Sequence, residues 1–498
     1  LDTRIELMVE IRDHMKDIFK KTISTQACIH PINRPTGKTG RHYWAVVRKV
    51  GTNEPLFLLR KQIGFKKSQD GEAHEICLIN NDTKKCRDND VSNCDFICSA
   101  YKKNNMIIKL SPVDHDAIEN WNAFFDYHPW KEIWYTTIAS NLVKNKISPH
   151  FPLYYANFMC KTAATKSMFK NVNIRKRLNN KTITTDILKS IVDIGQKIPE
   201  LEYGDDVFDR LMPEYEALKT RFEKLNRKKY AEGVSMMLIE RGEMDVSHYL
   251  DSLTSISFEE IEILSFHILH ALMCMHDTSN VCHLDLHLYN MVIKSMKHEE
   301  KQKDGTVKKI VNIYNIYGKK YYIPQLSYDT WIIDFGRSEK IDMLTVDELA
   351  KEAKIQYAFL INKSKSNTFH SRVKKNLSKD VLFFREYFKS FDVMRVFTEL
   401  YHACRDIADQ DSLNFLKDIV RDSRTDFIAN FSSIKPHKKG KKNHIYQGHP
   451  GTIITDYFGN EEIFTEKPDE SVYVIKDEYK LTNEEIKEFK GSHKNIFE

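Results

Sequence analysis

The sequence predicts an α+β protein in which strands and helices are concentrated in different parts of the chain. Short apolar runs of strand length recur between Leu56 and Glu240, whereas after Ser257 apolar residues recur at helical spacing over long segments. The tripeptide Glu240-Arg241-Gly242 lies between these parts as a polar linker. Segregation of strands from helices along one chain is typical of the α+β class.

Length and composition agree with a soluble globular protein. The 498 residues can bury a large core, and 41% of them are hydrophobic while 29% are charged. Lysine and arginine exceed aspartate and glutamate by six (76 minus 70), an excess too small to identify a nucleic-acid binder. No apolar run approaches the ~20 residues of a membrane span, and the charged first residues lack a signal-peptide core. We therefore expect a cytosolic or virion-interior protein.

Nine cysteines are scattered without regular pairing, which favours reduced thiols over a disulfide framework. Four of them lie close together near His74: Cys77, Cys86, Cys94 and Cys98. A zinc cluster is one interpretation, but no C-x-x-C pair occurs, and small buried thiols are the other.

The first segment, residues 1–55, is interpreted as an N-terminal extension. Apolar residues recur there at spacings of three and four: Ile5, Met8, Ile11, Met15 and Ile18. This pattern predicts an amphipathic helix that packs on the main body.

A β-rich segment, residues 56–240, follows the extension. The runs LFLL and EICLI have the character of two strands, and the connection between them holds Gly64, Ser68 and Gly71. Such a connection is either an ordinary hairpin or a turn whose backbone N–H groups approach phosphates.

The next strand, residues 104–111, carries Lys109. A lysine that projects from a buried strand is costly unless its ammonium group meets anions. The helix pattern that begins at Pro129 offers Glu132 as its first inward-facing acid. We therefore expect an ion pair between Lys109 and Glu132; a surface lysine and a solvated glutamate are the alternative. Two prolines end this helix pattern, and a further strand follows.

Residues 161–230 are interpreted as an insertion within the β-rich segment. They are rich in lysine and arginine, contain helical patches and carry no chemical motif, which fits a solvated excursion or a docking surface. The strand VSMMLIE follows and leads into the linker.

Helix patterns dominate residues 241–434. Ser257 and Glu260 form a capping box at the start of a long apolar helix. Asp392 lies at the start of a second apolar helix pattern, where a carboxylate can accept backbone N–H bonds from a neighbouring loop. We expect that loop to be the one that contains His283; a simple acid at a helix N-terminus is the alternative.

The last segment, residues 435–498, shifts composition again. It contains a lysine cluster in a turn-rich stretch: Lys435, Lys438, Lys439, Lys441 and Lys442. Such a cluster is typical of a solvent-facing surface, and binding to nucleic acid or an acidic partner is the alternative.

Two stretches within residues 241–434 carry a chemical pattern. In VCHLDLHLYN, His283, Asp285 and Asn290 form H-x-D-x-x-x-x-N, and in WIIDFG, Asp334 starts D-F-G after a strand-like run. These are the spacings of a phosphotransferase site. One carboxylate orients or deprotonates an incoming hydroxyl, while a second carboxylate and an amide oxygen hold Mg²⁺ against the phosphates of ATP. We therefore assign Asp285 as the base and Asn290 and Asp334 as metal ligands.

The order of the elements supports this assignment. Either motif alone fits an ordinary solvated loop, but here a helix, the H-x-D loop and a strand that ends in D-F-G follow one another. Lys109 then meets the α- and β-phosphates, and Glu132 holds Lys109. The connection that contains Gly64, Ser68 and Gly71 becomes the candidate loop over the phosphates.

The linker is a candidate adenine-binding segment. The backbone of Glu240 and Gly242 is placed to bond an adenine edge, with Ile239 lining the pocket. The exit of a core strand is the plain alternative.

These residues resemble the eukaryotic-protein-kinase-like superfamily and, more narrowly, the kinase-like proteins of nucleocytoplasmic large DNA viruses, which are often virion-associated. The phrases EIWYTTIASNLVKNKISPHFPLYY, HLDLHLYN, WIIDFG and SFDVMRVFTEL carry the resemblance, which spans residues 56–430. It implies a bilobal fold, with a mainly β N-lobe, a hinge, a mainly α C-lobe and ATP in the cleft. It further implies a serine/threonine protein kinase in the host cytoplasm or the virion, whose partners are ATP, a protein substrate and other virion proteins.

Some positions depart from the pattern of that family. Leu284 replaces the arginine usual between His and Asp, which argues against control by a phosphorylated activation loop. His287 stands where serine/threonine kinases have a lysine, and this Asp-Leu-His form is similar to aminoglycoside and choline phosphotransferases. A small-molecule kinase therefore stays open. The poor glycine loop and the long additions favour another alternative, a catalytically silent, kinase-shaped scaffold of a virus particle.

Overall fold

The computed structural model describes residues 4–6, 8–9, 11, 24–31, 45–49, 55–63, 72–78, 106–113, 128–160, 233–360, 381–432 and 448–492. These residues form a mixed α+β structure with mainly antiparallel sheets, which confirms the predicted fold class. The chain divides into two compact units. We call them the barrel unit (Glu6–Ile133 and Tyr154–Arg241) and the helix-rich unit (Leu1–Ile5, Trp134–Leu153 and Gly242–Glu498).

Seven of the described strands form a closed barrel in the barrel unit. They are β1 (Ser24–Pro31), β2 (Ala45–Lys49), β3 (Pro55–Ile63), β4 (Glu72–Leu78), β5 (Met106–Val113), β6 (Tyr154–Cys160) and β7 (Gly233–Glu240). Their order around the barrel is β1-β2-β3-β4-β5-β7-β6, and the closing pair, β1 with β6, is parallel. Closure gives each of these strands a partner on both sides, so the barrel has no open edge.

The first two strands lie within the segment that the sequence predicts to be an extension. β1 pairs with β2, and β2 pairs with β3. The sequence of β1, STQACIHP, has polar residues at both odd and even positions, so its apolar residues do not alternate and periodicity does not reveal the strand. The barrel therefore begins before residue 56.

Strands β5 and β7 lie at the centre of the core of the barrel unit. They pair along their whole lengths, and both are mostly apolar. The buried cluster around them consists of Val113, Trp130, Ile133, Tyr154, Met237 and Ile239. Trp130 and Ile133 belong to the first turns of helix α1 (His128–Lys144), which begins one residue before the predicted Pro129. The start of α1 is therefore fixed by apolar packing on the barrel.

Helices dominate the helix-rich unit, which contains the rest of α1. The others are α2 (Val246–Asp251), α3 (Phe258–Ser279), α4 (Val346–Leu360), α5 (Val381–Cys404), α6 (Gln410–Ser432), α7 (Pro450–Ile453), α8 (Glu462–Thr465) and α9 (Asn483–Ser492). Helix α3 is the most enclosed, because every residue from Ile261 to His276 is buried. Its N-terminus has the predicted cap, since the Ser257 hydroxyl accepts the Glu260 N–H at 3.2 Å. Within the described ranges, none of these helices combines the length and the hydropathy that a membrane crossing requires.

The described part of the helix-rich unit also contains three small sheets. Their strands are β8 (Met244–Asp245), β9 (Val281–Cys282), β10 (Met291–Ser295), β11 (Glu299–Lys301), β12 (Val307–Ile316), β13 (Lys319–Pro324), β14 (Tyr328–Ile332), β15 (Glu339–Lys340) and β16 (Tyr473–Leu481). One sheet has the order β14-β10-β8 and another pairs β15 with β9. In the third, β12 pairs with β11, β13 and β16.

The C-terminal residues are part of this unit and not a detached tail. Strand β16 runs parallel to β12, with Tyr479 opposite Tyr314 and Leu481 opposite Ile316, and all four side chains are buried. Charged residues interrupt the apolar pattern of β16, YVIKDEYKL, which hides the strand in the sequence. The predicted tail, residues 435–498, is therefore folded over residues 448–492; its lysine cluster lies outside the described residues.

Two other predicted features also lie outside the described residues. One is the insertion, residues 161–230. The other is most of the cysteine cluster, Cys86, Cys94 and Cys98.

A buried polar network is centred on Asp329 of β14. Its carboxylate accepts from His150 Nδ1 at 2.8 Å and from Trp331 Nε1 at 3.0 Å, and the Tyr314 hydroxyl bonds His150 Nε2 at 3.1 Å. Burial opposes ionisation of Asp329, but the neighbouring imidazoles of His150 and His267 hold its pKa at about 2. The network therefore holds an ionised carboxylate inside the unit.

Candidate active site

Two loops of the helix-rich unit meet at the ends of paired strands. The first loop, residues 283–290, leads from β9 into β10, and the second loop, residues 333–337, follows β14. Because β10 and β14 are antiparallel neighbours, the end of the first loop lies beside the start of the second. The Ile333 N–H donates to the Asn290 carbonyl at 2.9 Å and joins them. The two sequence motifs are thus adjacent in space.

His283 ties the two loops together. Its Nε2 donates to the Ile333 carbonyl at 2.9 Å, and its Nδ1 accepts the backbone N–H of Asp285 at 3.3 Å. Burial lowers the pKa of His283 despite the nearby carboxylates, so the ring is neutral with its proton on Nε2. Both ring nitrogens of His283 therefore make hydrogen bonds within the protein. His283 positions the loop, and neither nitrogen is available for proton transfer.

A buried carboxylate on α5 fixes the start of the first loop. Asp392 accepts the backbone N–H of His283 at 2.6 Å and that of Leu284 at 2.8 Å, so the expected brace is present. Burial raises the pKa of Asp392. The helix begins at Val381 and Asp392 lies in its middle, so the alternative of a helix N-terminal acid is wrong. Charged residues interrupt the apolar run before Asp392, so the sequence pattern does not show that the helix begins at Val381.

Both loops contain one residue in a left-handed backbone conformation. Leu284 has φ 60° and Asp334 has φ 64°, a region that costs a residue other than glycine about 1–3 kcal/mol. Leu284 is held there from α5, because Asp392 accepts its N–H and Arg395 Nη1 donates to its carbonyl at 3.4 Å. Strain of this kind is concentrated at functional sites in proteins.

The Asp285 carboxylate faces two arginines. Arg395 Nη1 donates to Asp285 Oδ1 at 2.8 Å, and Arg337 Nη1 lies 3.7 Å from the same oxygen. Asp285 Oδ2 makes no hydrogen bond to the described residues, and the side chain is 25% exposed. One oxygen is therefore held by the protein, while the other can meet a molecule from outside.

Neither arginine belongs to a motif that the sequence reveals. The available signal was the position of Arg395 in the apolar run FDVMRVF, one helical turn after Asp392. A charge in such a run needs a buried or half-buried partner, and Asp285 is that partner.

Asn290 and Asp334 offer oxygen atoms at the junction of the two loops. Asn290 is 8% exposed, and its Nδ2 donates to the Asp285 carbonyl at 2.9 Å. Its Oδ1 accepts no hydrogen bond from the described residues. Carboxylate and amide oxygens are ligands that Mg²⁺ prefers, so this pair fits that ion.

Two other groups of buried residues bring possible ligand atoms within 4.8 Å of one another: His150, His267 and Asp329, and also His276, Cys282 and Asp392. In the first group, Asp329 already accepts hydrogen bonds from side chains. In the second, both oxygens of Asp392 accept backbone N–H groups. Hydrogen bonding accounts for both carboxylates, and we assign neither group to a metal.

The barrel unit contains the expected ion pair. Lys109 Nζ on β5 lies 2.5 Å from Glu132 Oε1 on α1, and the side chains are 13% and 3% exposed. The ion pair fixes the position of the ammonium group. The alternative of a surface lysine and a solvated glutamate is therefore wrong.

The remaining predicted nucleotide contacts are only partly described. Gly64, Ser68 and Gly71 lie outside the described residues. Ile239 and Glu240 are each 6% exposed at the end of β7, and Ile239 belongs to the core cluster of the barrel unit.

Gly242, in the helix-rich unit, has a packing role. A Cβ at this position would lie 2.4 Å from a methyl group of Val292, so a larger residue does not fit without a shift. This close approach explains the glycine whether or not its backbone also contacts a ligand.

No protein-family model matches the sequence, and no curated protein sequence matches it either. The geometry of the two loops is therefore the basis for assigning a function.

Proposed function

We propose that the chain is an ATP- and Mg²⁺-dependent phosphotransferase with a bilobal protein-kinase-like fold, and that it transfers the γ-phosphate of ATP to protein hydroxyl groups. The barrel unit corresponds to the β-rich lobe and the helix-rich unit to the α-rich lobe. The observation that carries the proposal is the junction of the two loops, where Asp285, Asn290 and Asp334 lie on adjoining stretches of backbone fixed by Asp392.

In the proposed reaction, the acceptor hydroxyl oxygen attacks the γ-phosphorus of ATP. A bond forms between this oxygen and the phosphorus, while the bond from the phosphorus to the β,γ-bridging oxygen breaks and its electron pair leaves with ADP. The hydroxyl proton passes to Asp285 Oδ2, the oxygen without a partner among the described residues. The other oxygen stays bonded to Arg395, so the carboxylate keeps its orientation.

Asn290 and Asp334 hold Mg²⁺ in this proposal, and the bound ion neutralises charge on the phosphates. Lys109 binds the α- and β-phosphates, and Glu132 keeps its ammonium group in place. These residues bind and orient, which is most of what a protein contributes to phosphoryl transfer.

A small-molecule kinase is a second candidate because of Leu286-His287. Burial lowers the pKa of His287, so the ring is neutral and unlike the lysine that protein kinases have at this position. Incubation with γ-labelled ATP and either casein or a panel of amino-alcohols separates the candidates. Label in casein supports the protein kinase, and label in an amino-alcohol supports the alternative.

The test of the proposed function is Asp285→Asn. Loss of a general base lowers rates by about 10²–10⁴-fold, so we expect this variant to remain folded and to incorporate little labelled phosphate. Asp411→Asn is the matched control, because Asp411 is an exposed acid on α6 outside the site. Transfer by Asp285→Asn at the rate of the control would refute the proposal.

A further inference from the structure

The positive charge beside Asp285 comes from a distant part of the chain. Arg395 is 110 positions from Asp285, yet its Nη1 lies 2.8 Å from the carboxylate. Arg395 and Asp392 are three residues apart on α5 and so share a face of the helix. Together they bind both backbone groups of Leu284, its N–H and its carbonyl. One helix face therefore fixes the loop and the guanidinium group beside it.

His287 is the nearest basic side chain within the loop, two residues after Asp285. Its Nδ1 is buried without a hydrogen-bond partner among the described residues, so this nitrogen is closed off from solvent. The loop 283–290 contains no lysine or arginine. Any cation that acts on a phosphoryl group beside Asp285 must therefore come from outside this loop.

A guanidinium group from outside the loop suits that task. Negative charge is spread over the three non-bridging oxygens of the phosphoryl group during transfer. Arginine has five N–H donors in a planar fork that matches such oxygens, and it stays charged at every working pH. A guanidinium group that bonds Asp285 can therefore also bind an oxyanion beside it, by sharing or exchanging the N–H bonds that it makes within the protein.

Arg337 is the weaker candidate of the two arginines. It is 36% exposed, lies 3.7 Å from Asp285 and is shared with Glu352 at 3.7 Å. Arg395 is 13% exposed and anchored on a long helix. A fixed donor in a sheltered position contributes more to a developing charge than a mobile, solvated one.

We propose that Arg395 is a phosphoryl-binding catalytic residue, which holds Asp285 and donates N–H bonds to the non-bridging oxygens of the phosphoryl group during transfer. It supplies a cation to a loop that contains no lysine or arginine. No covalent bond forms to Arg395, and it keeps its proton throughout. The inference rests on the proposed function and adds to it a residue that the sequence motifs do not contain.

Kinetics of Arg395→Met and Arg395→Lys test the inference. Removal of one preorganised donor typically lowers kcat by about 10²–10³-fold, so we expect that loss in Arg395→Met with little change in the KM for ATP. Arg395→Lys keeps the positive charge but lacks the planar set of N–H donors, so its kcat should lie between those of Arg395→Met and the wild type. Arg421→Met is the control, since Arg421 is 63% exposed on α6 and pairs only with acids of its own helix among the ion pairs described.

A binding measurement separates a catalytic role from a structural one. Calorimetry compares the affinity for MgADP with that for MgADP plus aluminium fluoride, which mimics the phosphoryl group in transfer. We expect Arg395→Met to bind MgADP like the wild type and to lose the additional affinity that aluminium fluoride confers. Equal losses with both ligands would mean that Arg395 only supports the loop, and would overturn the inference.

The remaining outcomes are also decisive. Wild-type kcat in Arg395→Met would overturn the inference and leave the proposed function intact, provided that Asp285→Asn is inactive. A wild-type protein that neither binds MgADP nor transfers phosphate would refute both proposals together.

Discussion

Two carboxylates, Asp329 and Asp392, are buried in the same unit but have different partners. Asp329 accepts hydrogen bonds from His150 and Trp331 side chains, and Asp392 accepts two backbone N–H groups of the first loop. Burial opposes ionisation of both, yet the pKa of Asp329 is about 2 and that of Asp392 is raised. The Asp329 carboxylate accepts a side-chain hydrogen bond from His150, and the attraction of His150 and His267 outweighs the effect of burial. At Asp392, burial outweighs the attraction of His283 and the two backbone N–H bonds.

The two buried carboxylates have different roles. The partners of Asp329 are large buried side chains, so its network ends within the core and stabilises it. The partners of Asp392 are the backbone of a strained loop, so its hydrogen bonds set the position of Asp285, which is 25% exposed. We therefore expect changes at Asp329 to affect stability, and changes at Asp392 to affect activity as well.

The largest expected effect on stability is that of Asp329→Ala. Removal of one partner from a buried charged pair costs about 3–5 kcal/mol, because His150 Nδ1 and Trp331 Nε1 lose their acceptor. Urea unfolding measures the change. The rate of phosphate transfer per folded molecule should equal that of the wild type, and a fall in that rate would remove the distinction between the two carboxylates.

Asp392→Asn has a smaller expected effect on stability but lowers activity. The amide keeps one acceptor oxygen, so one buried N–H of the loop loses its partner at a cost of about 1–3 kcal/mol. The strained loop then relaxes, and transfer should fall further than the folded fraction measured by circular dichroism. If activity merely tracks the folded fraction, Asp392 is a core residue like Asp329.

The sequence motifs predicted the site in part because each motif is local. His283, Asp285, Asn290 and Asp334 lie on two short stretches with the spacing expected for the proposed chemistry, and the structure brings these stretches together. The Lys109–Glu132 pair was predictable too, since a lysine on a buried strand needs an anion. Arg395 was missed because its partner lies 110 positions away, and only the fold brings the two together.

The sequence predicted the α+β class correctly but did not reveal every strand. Strands with apolar runs, such as β5 and β7, were recognisable. Strands β1 and β16 were not, because polar and charged residues interrupt their apolar patterns and pairing with neighbours decides their conformation.

The pH dependence of stability should have opposite signs at the two carboxylates. Asp329 has a folded pKa of about 2 against an ordinary value of 3.8, so its contribution to stability is present above pH 3.8 and lost as the pH falls toward 2. This amounts to roughly 2 kcal/mol at most. Asp392 has a raised folded pKa, so its contribution is present below pH 3.8 and lost as the pH rises through the folded value.

Urea midpoints of Asp329→Asn and Asp392→Asn between pH 3 and 6 measure this contrast. In the wild type, part of the stability is lost as the pH falls, and this loss should be smaller in Asp329→Asn. Another part is lost as the pH rises, and this loss should be absent in Asp392→Asn. Equal pH profiles in the two variants would contradict the assigned partners.

The most direct test of the central claim is Mn²⁺ binding in the presence of ADP, followed by electron paramagnetic resonance in the wild type, Asp285→Asn and Asp334→Asn. Mn²⁺ takes the same oxygen ligands as Mg²⁺. We expect Asp285→Asn to bind Mn²⁺ and ADP like the wild type while it transfers no phosphate, and Asp334→Asn to lose the bound ion. Wild-type binding of Mn²⁺ by Asp334→Asn would contradict the claim that the two loops form one phosphotransfer site.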